Sequence, residues 1–314
     1  MFAADIDPGS GPDDLRTCQH RAAGRRDEWI INPRNVCSQP TVMRRIGEDM
    51  NSTEIARRFN LHESGLGNIP MLFAHGFGCD QNMWRYVAPA FEQDHRVILF
   101  DHIGAGGSDL TAYDAAKYST LDGYAEDVID ICRSLELERV IFVGHSVSAM
   151  IGILAAIKNP ELFSNLILVG PSPRYINDEA YNGGFTEAQI DELLDFLDSN
   201  HMGWSQAMAP VIMGNPDRPQ LGEELTNSFC RTDPEIARRF ARATFLSDNR
   251  ADLVRLQTPA LVLQCSEDVI APIEVGRYVH EHLAGSQLTI LKASGHCPNL
   301  SAPAETVSAI KAYL

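Results

Sequence analysis

The chain has 314 residues, of which 44% are hydrophobic and 22% charged, with 23 Gly and 17 Pro. These proportions are those of a globular protein with a large apolar core, so fibrous, collagen-like and wholly disordered classes are excluded. The 26 Lys and Arg against 42 Asp and Glu give a formal net charge of −16, and no long basic run is present to bind a phosphate backbone. We therefore expect neither nucleic acid nor a membrane surface as a partner.

The first 50 residues differ from the rest of the chain. They are polar and rich in turn-forming residues, without a sustained period of 2 or 3.6. This pattern predicts a poorly ordered extension over residues 1–50, with a docking arm as the alternative. Patterned sequence begins in MNSTEIARRFN, so a single folded domain is predicted over residues 51–314.

Short apolar runs then alternate with helical patterns. The runs are rich in leucine and β-branched residues without strict alternation, as in strands buried on both faces of a parallel sheet. They are MLFA (71–74), VILFD (97–101), VIFVG (140–144), LILVG (166–170), ALVLQ (260–264) and LTIL (288–291). A helical pattern between the second and third runs starts near Ser119 and Asp122, in an arrangement similar to a capping box. The repeat of strand and helix predicts an α/β fold with helices on both faces of the sheet.

This alternation stops after Pro171. Residues 171–250 contain helical stretches, such as 187–197 and 234–245, and no convincing strand. An insertion of this size between two sheet strands predicts a helical cap over the carboxyl edge of the sheet, where open α/β sheets bind ligands.

The segment VIFVGHSVSAMIG (140–152) combines a strand, a tight turn and a helix around Ser146. In a G-x-S-x-G turn the serine sits exposed on a strained backbone, and the positions two before and two after it must be small. Gly144 and Ser148 are both small, although the usual pattern ends in Gly. The free N–H groups at the start of the following helix favour negative charge near Ser146.

An acid and a histidine follow in the order that such a serine requires. Asp268 comes after the strand ALVLQ, and His296 comes after the strand LTIL. His296 would take the proton of Ser146, while Asp268 would hold the imidazole in the correct tautomer. Because HGFG follows the strand MLFA, the backbone N–H groups of Phe77 and Val147 are predicted to form an oxyanion hole. The combination predicts acyl transfer to water.

Other polar residues have simpler explanations. Asp101 also follows a strand, but it precedes the serine in the chain and is expected to order the turn 104–108. This glycine-containing turn lacks the G-x-G-x-x-G spacing of a dinucleotide site. His280 and His282 are two residues apart and point to different helix faces. Seven scattered cysteines, without C-x-x-C or zinc-ligand spacing, indicate reduced thiols and no metal. Two of them are interpreted as packing residues beside the active-site loops: Cys265 and Cys297.

We expect a cytoplasmic protein. The first residues, MFAADIDPGSGPDD, carry acids where a signal peptide would carry a basic region. Apolar runs of about 18 residues, which would predict a membrane-spanning helix, are absent from the sequence.

The motifs resemble those of the α/β-hydrolase superfamily, and more narrowly the subgroup of the sigma-B regulator hydrolase RsbQ and the plant karrikin and strigolactone receptors. The resemblance covers about residues 70–301 and is carried by HGFGCDQNMW, FDHIGAGGSDL, GHSVSAMIG, PSPRYIND, GGF, NPDRP, FCRTDPEIAR, LQCSEDVIAP and GHCPNLS. The sequence departs from the subgroup at Asn299, where members often carry His, and in residues 1–49, which have no counterpart.

The resemblance implies an eight-stranded, mostly parallel sheet and a four-helix cap over a deep apolar pocket. Candidate pocket residues in the cap are Phe185, Trp204 and Phe245, with Phe77 and Val147 below them. The implied activity is that of a serine carboxylesterase without a cofactor, acting on a small hydrophobic ester or lactone. The alternative is a signalling protein that, like RsbQ, binds or slowly hydrolyses such a ligand and regulates a partner protein.

Overall fold

The computed structural model describes residues 51–314, so the prediction for residues 1–50 lies outside the described residues. The described chain is built on a seven-stranded sheet with the order β1-β3-β2-β4-β5-β6-β7. Its strands are β1 His62–Ser64, β2 Ile69–Ala74, β3 His95–Leu99, β4 Val140–His145, β5 Phe163–Val169, β6 Ala260–Glu267 and β7 Gln287–Ser294. β1 pairs antiparallel with β3, and all other neighbouring strands are parallel.

The six strands predicted from the apolar runs are the parallel strands β2 to β7. The resemblance predicts eight strands, whereas the described residues form seven. The sequence prediction missed β1 because its three residues, HES, are polar and exposed or half-buried and therefore give no hydrophobic period.

The central strand β4 explains why the apolar runs do not alternate. All six of its residues are buried, and successive side chains point to opposite faces of the sheet. Val140 and Phe142 pack into one hydrophobic core, and Ile141 and Val143 pack into a second core on the other face. Helices therefore cover both faces, as predicted for a parallel sheet.

Eleven α-helices are found in the described part of the chain. They are α1 Ser52–Arg58, α2 Leu121–Ser134, α3 Val147–Lys158, α4 Glu187–Ser199, α5 His201–Met213, α6 Pro219–Arg231, α7 Pro234–Phe245, α8 Arg250–Leu253, α9 Ile273–His282, α10 Pro298–Ser301 and α11 Pro303–Tyr313. Over residues 51–314, none of them is long and apolar enough to cross a membrane. The capping-box interpretation at Ser119 was wrong: α2 has Thr120 as its N-cap, and the Ser119 hydroxyl donates to the carbonyl of Ala116 in the preceding turn.

Five helices lie between β5 and β6 in the chain, and four of them, α4 to α7, fall inside the range predicted for the cap. Their starts have clear local causes: Thr186 and Gln189 form a capping box at α4, and Asp233 accepts two backbone N–H bonds at the start of α7. α7 buries Ile236, Phe240 and other apolar residues along one face. Its arginines lie on the opposite side and form ion pairs with carboxylates of α4 and of α7 itself.

A buried ion pair supports the start of α2. The Asp127 side chain is 1% exposed, and its Oδ1 lies 2.6 Å from the Lys117 ammonium, which is 24% exposed. Burial raises the pKa of Asp127 to about 6, although Lys117 opposes the shift. The carboxylate therefore depends on Lys117 to remain charged inside the fold.

We predict that Lys117→Met lowers the free energy of unfolding by about 3 kcal/mol at pH 8, because an unpaired charge is left buried. Without Lys117 the folded-state pKa of Asp127 rises further, and protonation then favours the folded state. The loss should therefore be small near pH 5, where Asp127 is protonated in both folded proteins, and should grow as pH rises from about 6 towards the higher pKa of the variant. Urea unfolding at both pH values measures it. The control is Lys158→Met, whose ion pair with Asp122 is largely exposed and is expected to contribute less than about 1 kcal/mol; equal losses in both variants would contradict the prediction.

Candidate active site

Ser146 lies on the turn between β4 and α3, with φ 57° and ψ −124°. A positive φ is strained for any residue with a side chain. A Cβ at Gly144 would lie 2.5 Å from the backbone oxygen of Ser148, and a Cβ at Gly152 would lie 2.3 Å from the Phe142 ring. The two glycines are therefore required for the helix to approach the strand closely enough to form the turn.

The three residues predicted to act together form one hydrogen-bonded chain. His296 Nε2 lies 2.7 Å from Ser146 Oγ, and His296 Nδ1 lies 2.7 Å from Asp268 Oδ2. The other oxygen of Asp268 accepts the backbone N–H groups of Ile270 and Ala271. All three functional side chains belong to buried residues. The arrangement can transfer the serine proton to His296 and stabilise the resulting imidazolium.

His145 holds the loop that carries His296. Its Nε2–H donates to the backbone carbonyl of His296 at 2.7 Å. Burial, with His296 nearby, lowers the pKa of His145 to about 3, so the ring is neutral. A neutral ring adds no positive charge that would compete with protonation of His296.

The predicted oxyanion donors lie on either side of the serine. Val147 is the first residue of α3, so its N–H has no partner within the helix. Within residues 51–314, the N–H groups of Phe77 and Val147 donate no hydrogen bond. A Cβ at Gly76 would lie 2.7 Å from the His145 ring and 3.2 Å from Ser146 Cβ, which shows how closely the loop before Phe77 approaches the serine.

An apolar pocket of about 30 Å³ opens onto Ser146 and His296. Most of its wall comes from aromatic and aliphatic side chains of the cap and of the loop after β2. The residues that line it, besides Ser146, His145 and His296, are Phe77, Cys79, Tyr175, Ile212, Leu225, Phe229, Thr244, Phe245, Ile270 and Cys297. Its volume admits one or two water molecules, so a larger ligand requires movement of side chains in the wall.

The structure places the predicted pocket residues at different depths. Phe77 and Phe245 line the cavity, whereas Phe185 and Trp204 lie outside its wall. Trp204 packs behind Phe77, with a distance of 6.0 Å between the ring centroids. Phe185 donates its backbone N–H to the carbonyl of Tyr175 and so supports the segment that carries this tyrosine.

Tyr175 is a site residue that the sequence analysis missed. It is fully buried and lines the pocket together with Ser146. Burial raises its pKa well above the usual range of tyrosine, so the hydroxyl remains neutral. The motif PSPRYIND contains Tyr175, but nothing in its spacing indicates that the side chain shares a pocket with a serine 29 positions earlier.

The competing residues have the structural roles expected of them. Asp101 accepts the backbone N–H groups of Gln81 and Gly107 and therefore orders the turn after β3. His280 contacts Ser286, and His282 contacts the carbonyl of Tyr278. Within residues 51–314, no group of His, Cys, Asp and Glu side chains is arranged as a metal site.

The cysteines near the site are buried. Burial raises the thiol pKa of Cys79, Cys265 and Cys297 well above the usual value. A thiol in such surroundings remains protonated at neutral pH and behaves as a small apolar group. The serine is therefore the candidate nucleophile of this pocket.

Both the sheet and the serine turn are those of the α/β hydrolases. Residues 71–309 match the Alpha/beta hydrolase family, and the chain belongs to this family.

The chain is also similar to individual esterases, receptors and hydrolases. It is 39% identical to Strigolactone esterase D14 of Arabidopsis thaliana, over 84% of this chain and 99% of that protein. It is 35% identical to Karrikin insensitive 2 receptor IA of Petunia hybrida, over 80% of this chain and 92% of that protein. Among solved structures, a hydrolase from Oleispira antarctica shares 39% identity and a TM-score of 0.82, over 84% of this chain and 97% of that chain. The predicted resemblance to the receptor-like subgroup is confirmed.

We predict that Asp268→Asn slows covalent labelling of Ser146 by a fluorophosphonate about 10³-fold or more, because the amide holds His296 in the wrong tautomer. Intact-protein mass spectrometry over time measures the rate. The matched control is Asp101→Asn, which loses turn hydrogen bonds and should lower the melting temperature while labelling stays within about threefold. Equal labelling of wild type and Asp268→Asn would show that Asp268 does not orient His296.

Proposed function

We propose that the protein is a carboxylesterase that cleaves small, mostly apolar esters or lactones through an acyl-enzyme on Ser146. The observation that carries this proposal is the 2.7 Å contact between Ser146 Oγ and His296 Nε2 at the floor of an apolar pocket. A serine hydroxyl is a weak nucleophile unless a base takes its proton, and this geometry supplies the base.

Acylation follows from the positions of the groups. Ser146 Oγ attacks the ester carbonyl while its proton moves to His296 Nε2. The carbonyl electron pair moves onto oxygen, where the N–H groups of Phe77 and Val147 stabilise the new charge. His296 then gives the proton to the leaving alkoxide, and the carbon–oxygen bond breaks to leave an acyl group on Ser146.

Deacylation uses the same groups with water in place of the serine. His296 removes a proton from water, which attacks the acyl carbonyl, and the second oxyanion forms in the same hole. Its collapse returns the proton to Ser146 Oγ and releases the acid. Asp268 accepts a hydrogen bond from His296 Nδ1–H throughout and stabilises the imidazolium.

The pocket limits the size of the substrate. Four rings of the cap surround Phe77, and each ring centroid lies 5.6–6.0 Å from the Phe77 ring centroid: those of Trp204, Phe229, Phe240 and Phe245. A free volume of about 30 Å³ holds only one or two water molecules, so every acyl group requires these rings to move, and a longer chain requires a larger movement. We therefore expect short acyl groups to be the preferred substrates.

The second candidate is a ligand-regulated signalling protein that hydrolyses its ligand slowly and acts on a protein partner. Two observations favour it: the small volume of the pocket, and the 35% identity to a karrikin insensitive 2 receptor. A receptor of this kind retains the Ser146 chemistry, so the rate of turnover and the fate of the acyl group separate the two candidates.

We predict that wild type hydrolyses p-nitrophenyl esters from acetate to dodecanoate with an optimum at short chains. The hydrolysis rate of Ser146→Ala at equal concentration should be lower by several powers of ten. Wild-type rates no higher than those of Ser146→Ala would overturn the esterase proposal. A single turnover that leaves a stable acyl group on Ser146, detected by mass spectrometry, would instead support the signalling protein.

We also predict that Phe245→Ala moves the optimum to longer acyl chains, by about two to four carbons, because it removes a ring from the pocket wall. The matched control is Phe196→Ala, on α4, which removes a partly exposed ring outside the wall and should leave the optimum unchanged. The ratio of kcat/KM for octanoate to that for acetate measures the shift. An unchanged ratio in Phe245→Ala would mean that another part of the wall limits the chain length.

A further inference from the structure

Ser148 occupies the position at which the usual turn pattern has glycine, and its hydroxyl forms hydrogen bonds that glycine cannot form. The side chain is fully buried at the start of α3. Its Oγ–H donates to the backbone carbonyl of His75 at 2.5 Å. His75 lies at the end of β2, two residues before Phe77, so this bond joins the loop that carries one oxyanion donor to the helix that carries the other.

The donor and the acceptor of each hydrogen bond around Ser148 can be assigned from the contacts. Because Ser148 donates its single proton to His75, it can only accept from His102, whose Nε2 lies 2.8 Å away. His102 therefore carries its proton on Nε2. Its Nδ1 has no partner among the described residues, as expected of an unprotonated nitrogen. Burial lowers the pKa of His102 well below its usual value, so the ring is neutral.

Further hydrogen bonds hold the peptide group that joins Gly76 to Phe77. The backbone N–H of His102 donates to His75 Nε2 at 3.0 Å, which leaves the proton of His75 on Nδ1. This Nδ1–H donates to the carbonyl of Gly76 at 2.9 Å. The backbone N–H of Cys79 donates to the same carbonyl at 3.3 Å.

These contacts determine where the Phe77 N–H points. The Gly76 carbonyl and the Phe77 N–H belong to one planar trans peptide group, so they point in opposite directions. Two donors hold the carbonyl on the side of His75 and Cys79. The Phe77 N–H is therefore directed to the other side and remains without a partner among residues 51–314.

We infer that Ser148 is a positioning residue for the oxyanion hole: its hydroxyl ties the carbonyl of His75 to the helix of Val147 and so sets the distance between the Phe77 and Val147 N–H groups. The inference rests on the proposed esterase function. It assigns a role to Ser148, the residue at which this sequence departs from the G-x-S-x-G motif. With glycine or alanine at this position, the His75 carbonyl and the His102 Nε2–H lose their partner and the loop is free to shift. Displacements of about 1 Å at such donors cost up to about 10²-fold in rate.

The inference is tested with Ser148→Ala on p-nitrophenyl acetate, with active sites titrated by a fluorophosphonate so that kcat refers to folded protein. We expect kcat to fall about 10- to 30-fold while KM stays within about twofold, because only the transition state carries the charge that the hole stabilises. The apparent pKa of the acidic limb of kcat/KM should stay unchanged, since the contact between Ser146 and His296 is intact. Ser148→Thr, which keeps the hydroxyl, should restore most of the rate.

An inhibitor provides a readout that a general loss of packing would not reproduce. A short alkyl trifluoromethyl ketone forms a hemiketal with Ser146 in which the serine proton moves to His296 and the ketone oxygen becomes an oxyanion. Its inhibition constant should rise in Ser148→Ala by the same factor by which kcat/KM falls. The matched control is Ser205→Ala, which removes an equally buried hydroxyl that donates to a backbone carbonyl in α5 and should change neither value.

The outcomes separate the inference from the function on which it rests. Full activity in Ser148→Ala, or a lower kcat with unchanged ketone affinity, overturns the role of Ser148 and leaves the esterase proposal standing. Equal loss in Ser148→Ala and Ser205→Ala assigns the effect to packing and also overturns it. Wild type without Ser146-dependent turnover overturns the proposed function, and the inference with it.

Discussion

The candidate active site depends on the backbone of one residue, Ser146, which adopts φ 57° between β4 and α3. A conformation of this kind costs about 1–3 kcal/mol, and the surrounding packing must supply that energy. The buried strand β4 holds the residue from one side, and close contact at Gly144 and Gly152 holds the helix from the other. This constraint directs the serine hydroxyl out of the sheet and leaves the first N–H of α3 free.

The same site joins the sheet to the cap. The backbone N–H of His296 donates to the carbonyl of Ile212 at the end of α5, and Asn215 donates to the carbonyl of Ser294. A Cβ at Gly295 would lie 1.8 Å from the carbonyl of Met213, so only glycine allows this approach. The proposed general base is thus held by the cap as well as by Asp268. Movement of the cap to admit a ligand would therefore act directly on the His296 loop.

Much of the architecture was predictable because its causes are local. The apolar runs of β2 to β7 reflect burial on both faces, and the loss of alternation after Pro171 reflects an insertion of helices. The order of Ser146, Asp268 and His296 at the ends of β4, β6 and β7 followed from the motif and its chain order, and parallel strands bring such loops to one edge. The short strand β1 and the true start of α2 were not predictable, since polar residues in short elements carry no periodic signal.

What the sequence by itself determined was the fold class, the family resemblance and the candidate nucleophile, acid and base, because these depend on hydrophobic period and on residue types at the ends of strands. Only the tertiary structure decided the pocket: that Tyr175 lines it together with Ser146, that Trp204 and Phe185 lie behind the wall, and that the free volume is about 30 Å³. It also decided the network of Ser148. Contacts between residues far apart in the chain depend on how the helices and loops pack, and spacing along the sequence carries no information about them.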